Sequence, residues 1–117
     1  MSETALNITR ESHKRVDLFT VAGRIDSSNA AEFDTAVKAA LDEGRYNLVL
    51  DLSGVSYMSS AGLRVLVAAL RECKKLPNNG DVRLSNPSDR VAEVLELAGL
   101  SAMFQTFGDA TSAVGSF

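Results

Sequence analysis

The sequence predicts an α/β fold: one mixed, mostly parallel sheet with about four helices. Two observations predict it. Segments of strand character alternate with segments of helical period in the order β-β-α-β-α-β-α-β-α, and such alternation builds parallel strand pairs joined by helices. Two strand segments, LFTVA (residues 18–22) and YNLVLDL (residues 46–52), are apolar through most of their length, as strands buried on both faces are.

Each element has its own reason. Residues 6–10 alternate as a short strand, and residues 15–25 form a longer one that Gly23 brings to its end. A helix is expected from Asn29, because Asn29 with Glu32 has the form of a capping box and Ala30, Phe33, Val37 and Leu41 share a face. Gly44 ends that helix. Residues 46–52 are the central strand. The second helix is expected over residues 60–76, with Leu63, Leu66, Val67, Leu70 and Cys73 inward. The turn PNNG precedes a strand at residues 81–84. Asn86 and Pro87 open a third helix, since proline suits the first helical position. Its inward residues are Val91, Val94, Leu95 and Ala98, and Gly99 stops it, with Leu100 packing back on Leu95 as in a Schellman cap. Residues 103–107 read as a last strand and 109–114 as a short last helix. Right-handed crossovers then place the loops that follow the parallel strands at one end of the sheet, where open α/β sheets form their sites.

Composition narrows the function. The chain has 117 residues, 45% hydrophobic and 23% charged, which fits one domain over residues 1–117 with a real core. A net charge of −3 argues against a nucleic-acid partner, and the short basic cluster Arg71, Lys74 and Lys75 reads as a solvated helix end. Cys73 is the one cysteine, so no internal disulfide or cysteine metal site is expected, and its apolar neighbours make it a buried thiol. His13, the one histidine, lies in a polar stretch with no second ligand nearby. The start MSETALN lacks the features of a signal peptide, and no apolar run in the helix that starts near Ser60 exceeds residues 65–70. A cytoplasmic protein without membrane insertion is the expectation.

The stretch DLSGVSYMSSAGLRVL (residues 51–66) carries the chemistry. A strand runs into two serines, an alanine and a glycine, and then into a helix. The plain reading is a helix cap, with the oxygen of Ser59 or Ser60 accepting a backbone N–H. A serine nucleophile needs a base within reach, His13 is remote, and the pattern is not G-x-S-x-G. A P-loop needs glycines and a lysine that SSAG lacks. Asp51 alone does not make a receiver domain. A modification site fits better: a phosphate on Ser60 sits at the positive end of a helix, and Ala61 and Gly62 let another protein approach. Arg64 is the nearest cation in sequence.

These residues also resemble the signature of the STAS domain, in its anti-sigma factor antagonist branch. GRIDSSNAAEF (residues 23–33) and NPSDRVAEVLELAGL (residues 86–100) resemble two further segments of that family, so the likeness covers nearly the whole chain. The resemblance implies a protein that is not an enzyme and has no cofactor or metal. It implies an anti-sigma factor serine kinase of ATPase fold as partner, captured by the unphosphorylated antagonist. It also implies phosphorylation of Ser60, which ends the interaction, and a serine phosphatase that reverses it. Contact with the partner would involve Asp26, Ser27, Ser28, Ser59, Ser60, Ala61, Gly62 and Arg64. The chain departs from many members in having Ser59 where they carry aspartate. A second class stays open: a fixed interaction subunit of a transporter or sensory complex, in which Ser60 is only a cap.

Overall fold

Five strands lie side by side in chain order in the computed structural model, which describes residues 6–117. The first part of the leading segment, MSETA, lies outside the described residues. Strand β1 (Asn7–His13) pairs antiparallel with β2 (Val16–Ile25), while β2, β3 (Asn47–Met58), β4 (Asp81–Ser85) and β5 (Thr106–Phe107) are parallel. The helices α1 (Ala30–Asp42), α2 (Ser60–Lys74) and α3 (Asp89–Leu97) each cross between parallel neighbours, and α4 (Ala110–Gly115) closes the chain. This is the predicted order.

Strand alternation divides the core. Leu48, Leu50 and Leu52 of β3 pack with Phe33 and Val37 of α1, Leu66 and Leu70 of α2, and Val91 and Leu95 of α3. Val49, between them, faces the other way and packs with Val16 and Ala113. The three crossover helices thus share one face, as right-handed crossovers require in a sheet whose strand order never reverses. Among the described residues, only the short α4 covers the opposite face, near the start of the parallel strands. Thr20, Ser53 and Gly54 are exposed beyond it, so β2 is not buried on both faces throughout.

At the end where the parallel strands start, Asp17 is fully buried between two arginines. Its oxygens lie 2.7 Å from Arg10 and 2.8 Å from Arg45, and Arg10 reaches on to Glu43, the residue that caps α1, at 2.8 Å. One carboxylate therefore ties β1, β2 and the α1–β3 connection together.

Several boundaries differ from expectation for identifiable reasons. Gly23 does not end β2; with φ of +109° it sits at a register irregularity, and the strand continues to Ile25. The capping box does not form: Asn29 makes no side-chain cap bond, because its amide is engaged in the preceding loop. Strand β3 runs six residues past Leu52, to Met58. Ser88, not Pro87, precedes the first turn of α3, and its hydroxyl accepts from the Val91 N–H at 3.4 Å. Ala98 is exposed and Val67 only half-buried. The last strand shrinks to Thr106–Phe107 after a 3-10 turn at Ser101–Met103. Gly44 and Gly99 do end α1 and α3, at φ of +77° and +75°, and the Leu100 N–H donates to the Leu95 carbonyl as a Schellman motif requires.

Candidate functional site

The site lies where β2 and β3 finish together. Ile25 pairs with Met58 in the last register position, and the Ser59 N–H donates to the Ile25 carbonyl at 2.8 Å. The β2–α1 loop and the β3–α2 junction therefore leave the sheet side by side.

The loop is held by its own side chains. Oδ1 of Asn29 accepts from the Asp26 N–H at 2.9 Å, and its Nδ2 donates to the Arg24 carbonyl at 2.8 Å. Oδ1 of Asp26 accepts from both the backbone N–H and the hydroxyl of Ser28. Those two bonds, the hydroxyl first, hold the Asp26 carboxyl below its usual range, with a further contribution from the charge of Arg24. Asp26 is thus a fixed anion, and Ser27 and Ser28 beside it are exposed.

The junction is set by Gly62. A Cβ there would stand 2.8 Å from Cγ2 of Ile25 and 2.8 Å from Cγ of Met58, so only glycine lets the first turn of α2 lie this close to the strand ends. Leu63 and Leu66 follow it into the core. Ser60 and Arg64, one turn apart, are left exposed on the same side of the helix. Ser59 holds the cap position with extended backbone, yet its side chain makes no cap bond. Its hydroxyl oxygen is buried without a hydrogen-bond partner among the described residues. The plain cap reading of the two serines is therefore not what the structure contains: Ser60 lies inside the helix, facing out, and Ser59 does not cap.

All eight residues expected at the partner surface gather at this end. Ser27, Ser28, Ser60 and Arg64 are exposed, Asp26, Ser59 and Ala61 are partly buried, and Gly62 is buried beneath them. His13 pairs with Val16 at the far end of β2, so it is no base for either serine. Burial, with the charges of Asp81 and Glu72, pushes the Cys73 thiol up to about 12, which keeps it protonated and inert.

One pair was missed by sequence reasoning. Arg24 and Tyr57 face each other across β2 and β3, and the guanidinium carbon lies 4.4 Å from the ring centroid. The only signal was that each precedes a site residue by two positions. It becomes readable only once β3 is known to run to Met58.

Comparison with known proteins is consistent across sequence and fold. The STAS domain family model matches residues 7–113. An anti-sigma-B factor antagonist of Listeria monocytogenes is 33% identical over 104 residues, covering 86% of this chain and 89% of the relative. An anti-sigma factor antagonist from Mycobacterium paratuberculosis superposes with a TM-score of 0.85 at 24% identity, over 98% of this chain and 96% of that one. The Bacillus cell fate determinant SpoIIAA in its phosphorylated form superposes at 0.73 with 18% identity, over 96% and 98% of the two chains. A sulfate transporter family protein from Wolinella succinogenes has the same fold, with a TM-score of 0.72 and 19% identity over 89% and 85%. Among the described residues, no helix is long and apolar enough to cross a membrane.

Proposed function

The chain belongs to the STAS domain family, and from that premise we propose that it is an anti-sigma factor antagonist switched by phosphorylation of Ser60. Unphosphorylated, it captures an anti-sigma factor serine kinase of ATPase fold and so regulates transcription. Phosphorylated, it releases that partner until a serine phosphatase restores it. It acts by binding, in the cytoplasm, without catalysis of its own.

The observation that carries this reading is the contrast at the junction: Ser60 is exposed at the first position of α2, on the same rim as Asp26, while its neighbour Ser59 holds the cap position without a cap bond. A hydroxyl with no structural duty is open to a kinase. A phosphate there adds about −1.5 to −2 charges. The helix N-terminus favours that charge by only about 0.3–1 kcal/mol, so the fold is little changed. The docking surface changes more. Asp26 already holds one negative charge at this rim, and a partner closing over Ser60 must desolvate a second.

The test is incubation of the purified chain with the cognate kinase and ATP, followed by mass spectrometry of the junction peptide. Phosphate is expected on Ser60. Ser60→Asp is expected to keep the fold and lose the partner, and Ser60→Ala to bind without being modified. Phosphate on Ser59 alone moves the acceptor by one residue. No phosphate on either serine, with the partner bound, leaves a fixed interaction subunit, the reading favoured by the transporter-family protein of the same fold.

A further inference from the structure

Four arginines among the described residues are half-buried: Arg10, Arg24, Arg45 and Arg83. Three of them hold a carboxylate, Arg10 and Arg45 that of Asp17 and Arg83 that of Asp81. Arg24 is the exception. Among the described residues its guanidinium makes no ion pair, and it rests on the ring of Tyr57 instead. The nearest acid along the strand, Asp26, has an oxygen already engaged by Ser28.

The position of the pair is informative. Ile25 and Met58, the next register pair, are fully buried toward the crossover helices, so alternation turns Arg24 and Tyr57 to the opposite face. That is the part of the sheet α4 leaves open, where Thr20, Ser53 and Gly54 are exposed. Along the chain Arg24 is two residues from Asp26, and Tyr57 is three from Ser60. The stacked pair thus adjoins the serine rim and extends it onto the open sheet face.

We propose that Arg24, held flat by Tyr57, is a partner-selecting contact that receives a carboxylate side chain of the docked anti-sigma factor kinase. This rests on the docking surface proposed above and adds a second point to it. The fork of a guanidinium matches a carboxylate with two parallel N–H bonds, which an ammonium cannot reproduce. Stacking fixes the side chain before the partner arrives, so little rotamer freedom remains to be lost on binding. Arginine and tyrosine are also the residues in which interface binding energy concentrates.

The experiment is a titration of the purified cognate kinase with the wild-type chain and with Arg24→Lys, Arg24→Glu, Tyr57→Leu and Ser60→Asp. Thermal melts run beside it to show that each variant is folded. Arg24→Glu is expected to weaken binding by about tenfold or more, and Arg24→Lys by a few-fold because charge remains while the fork is lost. Tyr57→Leu should weaken it with the charge intact, and an acidic-to-lysine substitution in the kinase should restore binding to Arg24→Glu alone. If Arg24→Glu unfolds, Arg24→Lys carries the test. Wild-type affinity in both arginine variants, with Ser60→Asp still unable to bind, overturns this inference and leaves the switch standing. Binding lost in Arg24→Glu but rescued by no such substitution overturns the carboxylate assignment. Binding unaffected by any of the four overturns both readings.

Discussion

Ser59 and Ser60 are neighbours of identical chemistry in opposite surroundings. The hydroxyl of Ser59 is buried and unpartnered, and Ser60 is exposed. An orphaned buried hydroxyl is a cost, since it has left water without gaining a bond. Ser59→Ala is therefore expected to leave stability unchanged or to raise it by up to about 1 kcal/mol, where an N-cap serine would lose about 0.5–2 kcal/mol. Urea denaturation separates the two, and a loss of cap size would show that Ser59 caps in solution. At this scale the sequence was half legible. Residue type and spacing pointed to Ser60, because a strand-to-helix junction has a recognisable composition, whereas Asp26 entered only through the resemblance to the STAS family. They could not tell which hydroxyl turns inward, since that depends on how closely α2 approaches Ile25 and Met58. Nor could they reveal that Asn29 turns its amide back toward Arg24 and Asp26 instead of capping α1.

The element on which the site depends is α2, seated by Gly62 at one end and by Leu66 in its middle. Leu66 is fully buried among residues of the sheet and α1, and Leu66→Ala is expected to cost about 2–5 kcal/mol. Gly62→Ala tests the seat itself. The added methyl gains about 1 kcal/mol of helix propensity, but it enters a space closed by Ile25 and Met58 at 2.8 Å, and overpacking costs about 1–3 kcal/mol. A net loss of about 1 kcal/mol is expected in equilibrium unfolding, with weaker partner capture because Ser60 moves with its helix. Unchanged stability together with unchanged capture would show that the first turn of α2 is not tightly seated. The length of β3 was the chief error at this level. Ser53, Gly54 and Ser56 break the apolar density that marks the strand, so the sequence shows it only as far as Leu52. Those residues are exposed because no described residue covers that part of the sheet, while Val55 and Met58 stay buried on the helix side. A strand buried on one face is harder to see than the doubly covered segment before it.

At the scale of the whole molecule the two ends do different work: the serine rim lies at one, and the Asp17 cluster fastens the other. Burial pushes the Asp17 carboxyl up, but hydrogen bonds from Arg45, Ser12 and Arg10 outweigh it and hold the carboxyl below its ordinary value of 3.8. A carboxyl lower in the folded than in the unfolded chain stabilises the fold above its ordinary value. That contribution disappears as pH falls through the lowered one. The wild-type urea midpoint should therefore drop more steeply on acidification below about pH 4 than that of Asp17→Asn. The variant should lose about 3–5 kcal/mol near neutrality, having left Arg45 without a carboxylate and Arg10 with Glu43 alone. Parallel acid profiles for the two chains would remove Asp17 from this role. The element order was legible as a whole because apolar period and turn residues repeat along the chain, whereas the Asp17 cluster joins residues from separate segments that no local pattern connects. The order of the sheet carries one more consequence. Each strand from β2 onward lies beside the one synthesised just before it, so no later segment has to thread between two that are already paired. The β1–β2 hairpin can close as soon as it leaves the ribosome, and every further strand and helix can add to a finished edge. Assembly can therefore keep pace with translation, and the serine rim begins to form once α2 has emerged, before the last two strands exist.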